Sequence, residues 1–110
     1  MPAPVSTGIS FKIDEDTDRQ LAHSANINQR SKRREARVRL IDHLSRFERH
    51  HLSPPLSKKK QISIGFSMDT DTNRRLTTSS QQHQNPKHVE ASIRLADHLS
   101  KFDSHMNPTR

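Results

Sequence analysis

The chain writes one short pattern twice: Ile9-Ser10-Phe11-Lys12-Ile13-Asp14 and, 55 positions later, Ile64-Gly65-Phe66-Ser67-Met68-Asp69. Apolar and polar residues alternate in the first stretch, the period of a half-buried β-strand, and the second follows it. One strand with a wet face is not stable alone in water. Two equivalent strands in one chain can satisfy each other's backbone groups, so the pattern predicts a two-stranded β-ribbon.

The duplication extends well beyond the strands. Matching residues 9–50 to residues 64–105 needs no gap and gives 20 identities in 42 positions. Self-similarity at a fixed offset marks a repeated supersecondary unit. Each copy is too short to be expected to fold unaided, so the two are expected to complete one core together. The chain divides accordingly into a mobile arm at 1–7, a first repeat at 8–50, a basic Pro-containing linker at 51–61, a second repeat at 62–105 and a tail at 106–110. Pro54-Pro55 forbids helix in the linker and its lysines repel one another. About ten extended residues reach roughly 33 Å, enough to bring the second strand back antiparallel to the first.

Asp14 and Asp69 follow the strands, placed to accept hydrogen bonds from the free N–H groups of a helix start. Glu15, Asp16, Asp18 and Asp71 then suit the positive end of the helix dipole. The first helix of each copy reads as weak, running to about Asn26 and Gln81 with a thin stripe of Thr17, Leu21 and Ala25, or Thr72, Leu76 and Ser80. A clearer helix follows a polar turn. Ser31 is the expected cap in the first copy; in the second, Asn85 is the expected cap and Pro86 the first helical residue. Ala36, Leu40, Leu44 and Phe47 share a face, with Val38 and Ile41 a second strip beside it. Ala91, Leu95, Leu99 and Phe102, with Ile93 and Ala96, repeat the arrangement, which predicts packing from two sides. Glu35–Arg39 and Glu90–Arg94 have the favourable (i, i+4) order and read as weak surface pairs.

Hydrophobic residues make up 28% of the chain, with four Phe, no Trp and no Tyr, so only a small core is possible. The absence of Cys excludes a disulfide framework or thiolate metal site and suits a reducing, cytoplasmic setting. No run approaches a signal peptide or a transmembrane span. The net charge of +7 suits nucleic acid or an anionic surface. Its distribution is uneven: residues 8–50 carry ten Lys or Arg against seven acids, and residues 61–105 carry five of each. Lys58, Lys59 and Lys60 supply most of the remainder.

A strand and two helices at this length, with a basic start to the second helix, resembles the ribbon-helix-helix fold of Arc and MetJ, homodimers whose paired strands enter the major groove. Here both copies lie in one chain, and the tandem arrangement resembles the TraY family of F-like conjugative plasmids. The strings EARVRLIDHLSRF at 35–47 and EASIRLADHLSKF at 90–102 are similar to that family's second helix. The resemblance covers about 9–105. It implies an α+β, mostly α, tandem ribbon-helix-helix fold: two β-α-α repeats forming an intramolecular pseudo-dimer with a two-stranded antiparallel ribbon. It also implies double-stranded DNA as partner, at a plasmid origin of transfer and at promoters. The relaxase and other relaxosome proteins follow as further partners, with several copies able to sit side by side on the duplex.

That mechanism can be set against the residues. With Ile9, Phe11 and Ile13 facing the core, Gly8, Ser10 and Lys12 face outward, as do Ser63, Gly65 and Ser67 on the second strand. Lys12 is the long donor of this set, suited to guanine O6 and N7 or to a phosphate. The second-helix starts are expected to hold phosphates through free N–H groups and their dipoles. Ser31, Lys32, Arg33 and Arg34 serve that role in the first copy; Lys87 and His88 do so more weakly in the second. The two strands present different faces, which predicts an asymmetric or direct-repeat site.

Other chemistries find little support. Asp69, Asp71 and Asn73 match the first ligand positions of a calcium loop, but Arg74 stands where Gly is needed and Ser80 where Glu is needed. His43 and His98 suit negative helix ends; His50, His51, His83 and His105 fall near ends or turns. No two histidines share a helical face at ligand spacing, so neither metal nor cofactor is expected. No nucleophile–base set or Gly-rich phosphate loop is present, so no enzyme is expected. A ribbon-helix-helix antitoxin is the competing reading, but the tail at 106–110 is short for a toxin-binding segment. A basic membrane-surface binder would not need the strand duplication.

Overall fold

In the computed structural model, residues 6–52 and 60–102 are described. The order is β1 (Ser6–Asp14), α1 (Glu15–Ile27), α2 (Lys32–Arg46), β2 (Gln61–Asp69), α3 (Thr70–Gln82) and α4 (Lys87–Lys101). The strands pair antiparallel as one two-stranded sheet, with Phe11 opposite Ile64 and Lys12 opposite Ser63. Ser10 faces Gly65, its own counterpart in the second copy. The pseudo-two-fold axis relating the copies therefore passes between these two residues.

The ladder also pairs Ser6 with Asp69 and Asp14 with Gln61. Both strands consequently start earlier than the alternation indicated, and Ser6, Thr7 and Gln61 are strand residues, outside any arm or linker. Antiparallel pairing continues as long as both chains offer backbone groups, whatever the side-chain pattern. Pro54-Pro55, Lys58, Lys59, His105 and the expected tail at 106–110 lie outside the described residues.

One core serves both copies. Phe11, Leu21, Leu40 and Leu44 from the first pack with Ile64, Met68, Leu76, Leu95 and Leu99 from the second. Phe11 meets Phe66 edge-on across the ribbon, with ring centroids 5.8 Å apart. The expected second apolar strip is only partly used: Ile93 is buried, Val38 half-buried, and Ile41 is 41% exposed. Phe47 and Phe102 fall just past the helix ends and are half-buried beside His43 and His98.

The helix starts follow local chemistry. Asp14 accepts from Thr17 N at 2.8 Å, Asp69 from Thr72 N at 3.2 Å and Ser31 from Arg34 N at 3.1 Å. The second copy departs from expectation at α4. Pro86 takes the N-cap place without a side-chain bond, and Asn85 Nδ2 instead donates to Glu90 Oε1 at 3.0 Å. A buried carboxylate needs its lone pairs filled more than an exposed helix start needs a cap.

The two helices of each copy are joined by matching turns, Gln29 at φ 55° and Gln84 at φ 56°. Arg30 N then bonds back to Ala25 O at 2.9 Å, and Asn85 N to Ser80 O at 2.9 Å. These are Schellman closures, which use a left-handed residue just past the helix end.

Arg39 and Arg94, together with Glu35 and Glu90, are fully buried, so these pairs are interior and not surface pairs as their spacing indicated. Arg39 Nε donates to Glu35 Oε2 at 3.0 Å, and its Nη1 crosses to the other copy to reach Phe102 O at 2.7 Å. Arg94 does the mirror image, with Nε to Glu90 Oε2 at 3.1 Å and Nη1 to Phe47 O at 2.7 Å. Each guanidinium neutralises a carboxylate in its own copy and caps the negative helix end of the other.

Candidate nucleic-acid interface

The pleat sends Gly8, Ser10 and Lys12 to the side opposite Phe11 and Ile13, and Ser63, Gly65 and Ser67 to the side opposite Ile64 and Met68. All are exposed except Gly65, which is half-buried. They form three directly facing pairs: Gly8 with Ser67, Ser10 with Gly65, and Lys12 with Ser63. The six residues expected to read DNA thus share one continuous surface. A Cβ at Gly65 would stand 3.2 Å from Ile9 O, whereas Gly8 has open space around it.

Ser6 and Gln61 extend this face and were not among the expected residues; both are exposed. Their signal lay in the two-residue period carried past the apolar run. Asp14 and Asp69 complete it at the ends, where they cap α1 and α3.

The second helices flank the ribbon, with α4 packed along β1 and α2 along β2. Ser92 Oγ on α4 donates to Lys12 O at 2.9 Å, tying that helix to the strand edge. At the start of α2, Arg33 and Arg34 are exposed and form no ion pair with the described residues, whereas Lys32 Nζ lies 2.7 Å from Asp18 Oδ1. At the start of α4, Lys87 bonds to Asn73 Oδ1 and His88 is exposed. The expected phosphate-side residues thus fall at the starts of α2 and α4, where Lys32 and Lys87 turn to the first helix of their own copy and His88 lines a groove with the ribbon. A groove of about 500 Å³ runs between β1 and α4, lined in part by Lys12, Gln61, Ser63, His88, Val89 and Ser92.

His43 and His98 lie in the last turns of α2 and α4, as their place in the sequence indicated, but both are fully buried between the copies. His43 Nε2 pairs with Asp97 Oδ2 at 2.8 Å while its Nδ1 faces Arg94 Nη1 at 2.9 Å. His98 repeats this with Asp42 at 2.8 Å and Arg39 at 3.0 Å. Because arginine only donates, each Nδ1 must accept, which fixes the neutral Nε2–H tautomer. Burial, with help from the Arg94 charge, pushes the His43 pKa down to about 4, against the pull of Asp97.

A second cluster joins His50, His83 and Glu90, whose ligand-type atoms lie within 4.8 Å of one another. No helical spacing could have revealed it, because its members come from the end of copy one, a turn of copy two and α4. Its nitrogens are already committed. His50 Nδ1 accepts from Leu52 N at 3.1 Å, so Nε2 carries the proton that faces Glu90 Oε2 at 2.8 Å. His83 Nε2 accepts from His50 N at 3.2 Å, so Nδ1 donates toward Ser79 O at 2.8 Å. With Arg94 Nε also 3.1 Å from Glu90 Oε2, the triangle fits a neutral clasp better than a cation site. Burial raises the Glu90 pKa, but hydrogen bonds from Asn85, Ser79 and His50 outweigh it and hold the group at about 2.

Comparison with known proteins agrees with this architecture. The TraY domain family matches twice, over residues 9–56 and 64–110. The chain is similar to the relaxosome protein TraY of Escherichia coli (strain K12), with 29% identity over 100 residues, covering 90% of this chain and 76% of that protein. No solved structure matches. With the domain matched once on each ribbon-helix-helix copy and nearly the whole chain covered, this protein belongs to the TraY family.

Proposed function

We propose that the chain is a sequence-specific double-stranded DNA-binding accessory protein of the conjugative relaxosome. It binds near a plasmid origin of transfer with its β-ribbon in the major groove, bends the duplex, and aids recruitment of the relaxase or nicking by it. The same binding at a promoter would regulate transfer genes. The observation that carries this reading is the exposed ribbon face, where three facing pairs of small or cationic residues lie between two helix starts. Such a face is narrow enough to enter a major groove, and the helix starts flank it where phosphates would pass. The assignment to a relaxosome rests on the family and on the named relative. The proposed role is non-catalytic, in keeping with that family. Among the described residues, no helix is long and apolar enough to cross a membrane.

The non-identical strands lead to an asymmetric or direct-repeat site. The test is binding to a duplex from the plasmid's own origin of transfer, against a random duplex of equal length. Wild-type protein should prefer the origin duplex, and Lys12→Ala should erode that preference about tenfold, the usual worth of a good base contact. Equal wild-type affinity for both duplexes, or a perfect palindrome as minimal footprint, would sink the reading.

A further inference from the structure

The two ends of the ribbon face are unlike, and so are the helices beside them. Because Ser10 and Gly65 lie on the pseudo-two-fold axis, Lys12 at one end corresponds to Ser67 at the other. The first end carries Lys12 and Gln61, both exposed, and Lys12 forms no ion pair with the described residues. The helix flanking that end, α4, presents His88, Val89 and Ser92 to the groove. The positions equivalent to these on α2 are Arg33, Arg34 and Arg37. They flank the opposite end, where the ribbon offers Ser6, Gly8 and Ser67, with Asp69 at its limit capping α3.

The geometry points to a division of labour between the two half-sites of one duplex. The end with Lys12 and Gln61 carries most of the base reading, and the end beside α2 carries most of the phosphate grip. This rests on the DNA-binding reading above and adds two residues to it: Gln61 as a base-contacting side chain and Arg37 as a phosphate contact.

The physical case comes from reach and charge. Glutamine can meet adenine N6 and N7 with two hydrogen bonds, and lysine can reach guanine O6 and N7. Serine and glycine at the other end have neither the length nor the paired groups to discriminate as well. Arg37 is half-buried and its side chain forms no hydrogen bond or ion pair with the described residues. Its equivalent, Ser92, sits against the strand edge through the bond to Lys12 O. An arginine at that station extends from the edge of the ribbon toward the passing backbone. On α4 the same three stations carry no Lys or Arg, and Lys87 beside them is held by Asn73 Oδ1, so the grip is one-sided. The protein would then dock in one orientation, with its pseudo-symmetry broken by chemistry.

The test uses the full chain and the tightest duplex selected from a randomised library, scored against every single base substitution at several salt concentrations. Arg37→Ala should weaken all duplexes alike and reduce the salt slope by about one. Gln61→Ala should relax preference in one half-site only, the half relaxed by Lys12→Ala, with the slope unchanged. Ser92→Arg should add a grip on the neutral side and steepen the slope by about one. An Arg37→Ala protein with an intact slope or altered base preference overturns the division of labour. So does relaxation by Gln61→Ala and Lys12→Ala in opposite halves. Failure of wild-type protein to select any duplex would instead refute the DNA-binding function itself.

Discussion

Arg39 and Arg94 occupy the most demanding positions in the molecule, since each is a fully buried cation held between the two copies. Removing Arg39 takes its donor from Ser24 Oγ and from the helix-end carbonyl of Phe102, and takes one of the donors of Glu35, which keeps Ser24, Asn28 and Arg30. Breaking a buried pair from one side usually costs about 3–5 kcal/mol. Arg39→Ala should therefore lose a stability of that order, read from the midpoint of urea unfolding. A loss below about 1 kcal/mol would mean that water replaces the guanidinium freely. His43 sets the pH dependence. Its folded pKa, about 4, lies below the ordinary histidine value of 6.5, so the unfolded chain binds the proton more readily. Its contribution is complete above about pH 6.5 and drains away as pH falls through 4. Glu90, depressed to about 2, extends the loss to lower pH, because its contribution vanishes as the carboxylate is protonated. Unfolding midpoints measured from pH 7 to pH 4 should decline, and His43→Gln should flatten that decline.

At the scale of elements, the turns between helices carry strain that glycine would relieve. Gln29 and Gln84 hold left-handed backbone at φ 55° and 56°, conformations costing an L-residue about 1 kcal/mol or more. Gln29→Gly should stabilise the protein by about 0.5–1 kcal/mol, a net gain after the greater freedom that glycine has when unfolded. Thermal unfolding checks it; a lower melting temperature would show that the glutamine side chain has a role the backbone does not reveal. These turns also show where the sequence was readable and where it was not. The strands, the four helices and the Asp caps followed from period and capping chemistry. The left-handed turns lacked the glycine that normally marks them, so they read only as polar. Glu35–Arg39 misled for a different reason: an (i, i+4) pair reads as solvated because burying two charges is rarely favourable. A better signal was present. Ser24, Glu35, Arg39, Asp42 and His43 all recur in the second copy, while the exposed Arg33 and Arg34 became His88 and Val89. Past the first residue of α2 and α4, the charged residues kept in both copies lie in or beside the shared interior, and the divergent ones lie toward the surface.

For the whole molecule, the decisive fact is that neither copy closes a core alone. Leu21 of the first copy and Leu76 of the second are both fully buried in a single cluster drawn from both halves. The polar connections cross in the same way, since Arg39 ends on Phe102 O and Arg94 on Phe47 O. A half-molecule would expose its apolar ribbon face, leave a buried arginine without its helix-end acceptor, and lose the partner strand that fills its backbone hydrogen bonds. The two copies should therefore unfold together as one unit, despite being separate in sequence. Leu21→Ala and Leu76→Ala, made in different copies, should each cost about 2–5 kcal/mol. Each should shift one common transition to lower denaturant without splitting it. Calorimetric and van't Hoff enthalpies should agree in wild type and in both variants. Amide exchange would localise any departure: if Leu76→Ala released α3 and α4 while β1, α1 and α2 kept their protection, the copies would be independent folding units and the shared core only a contact between them.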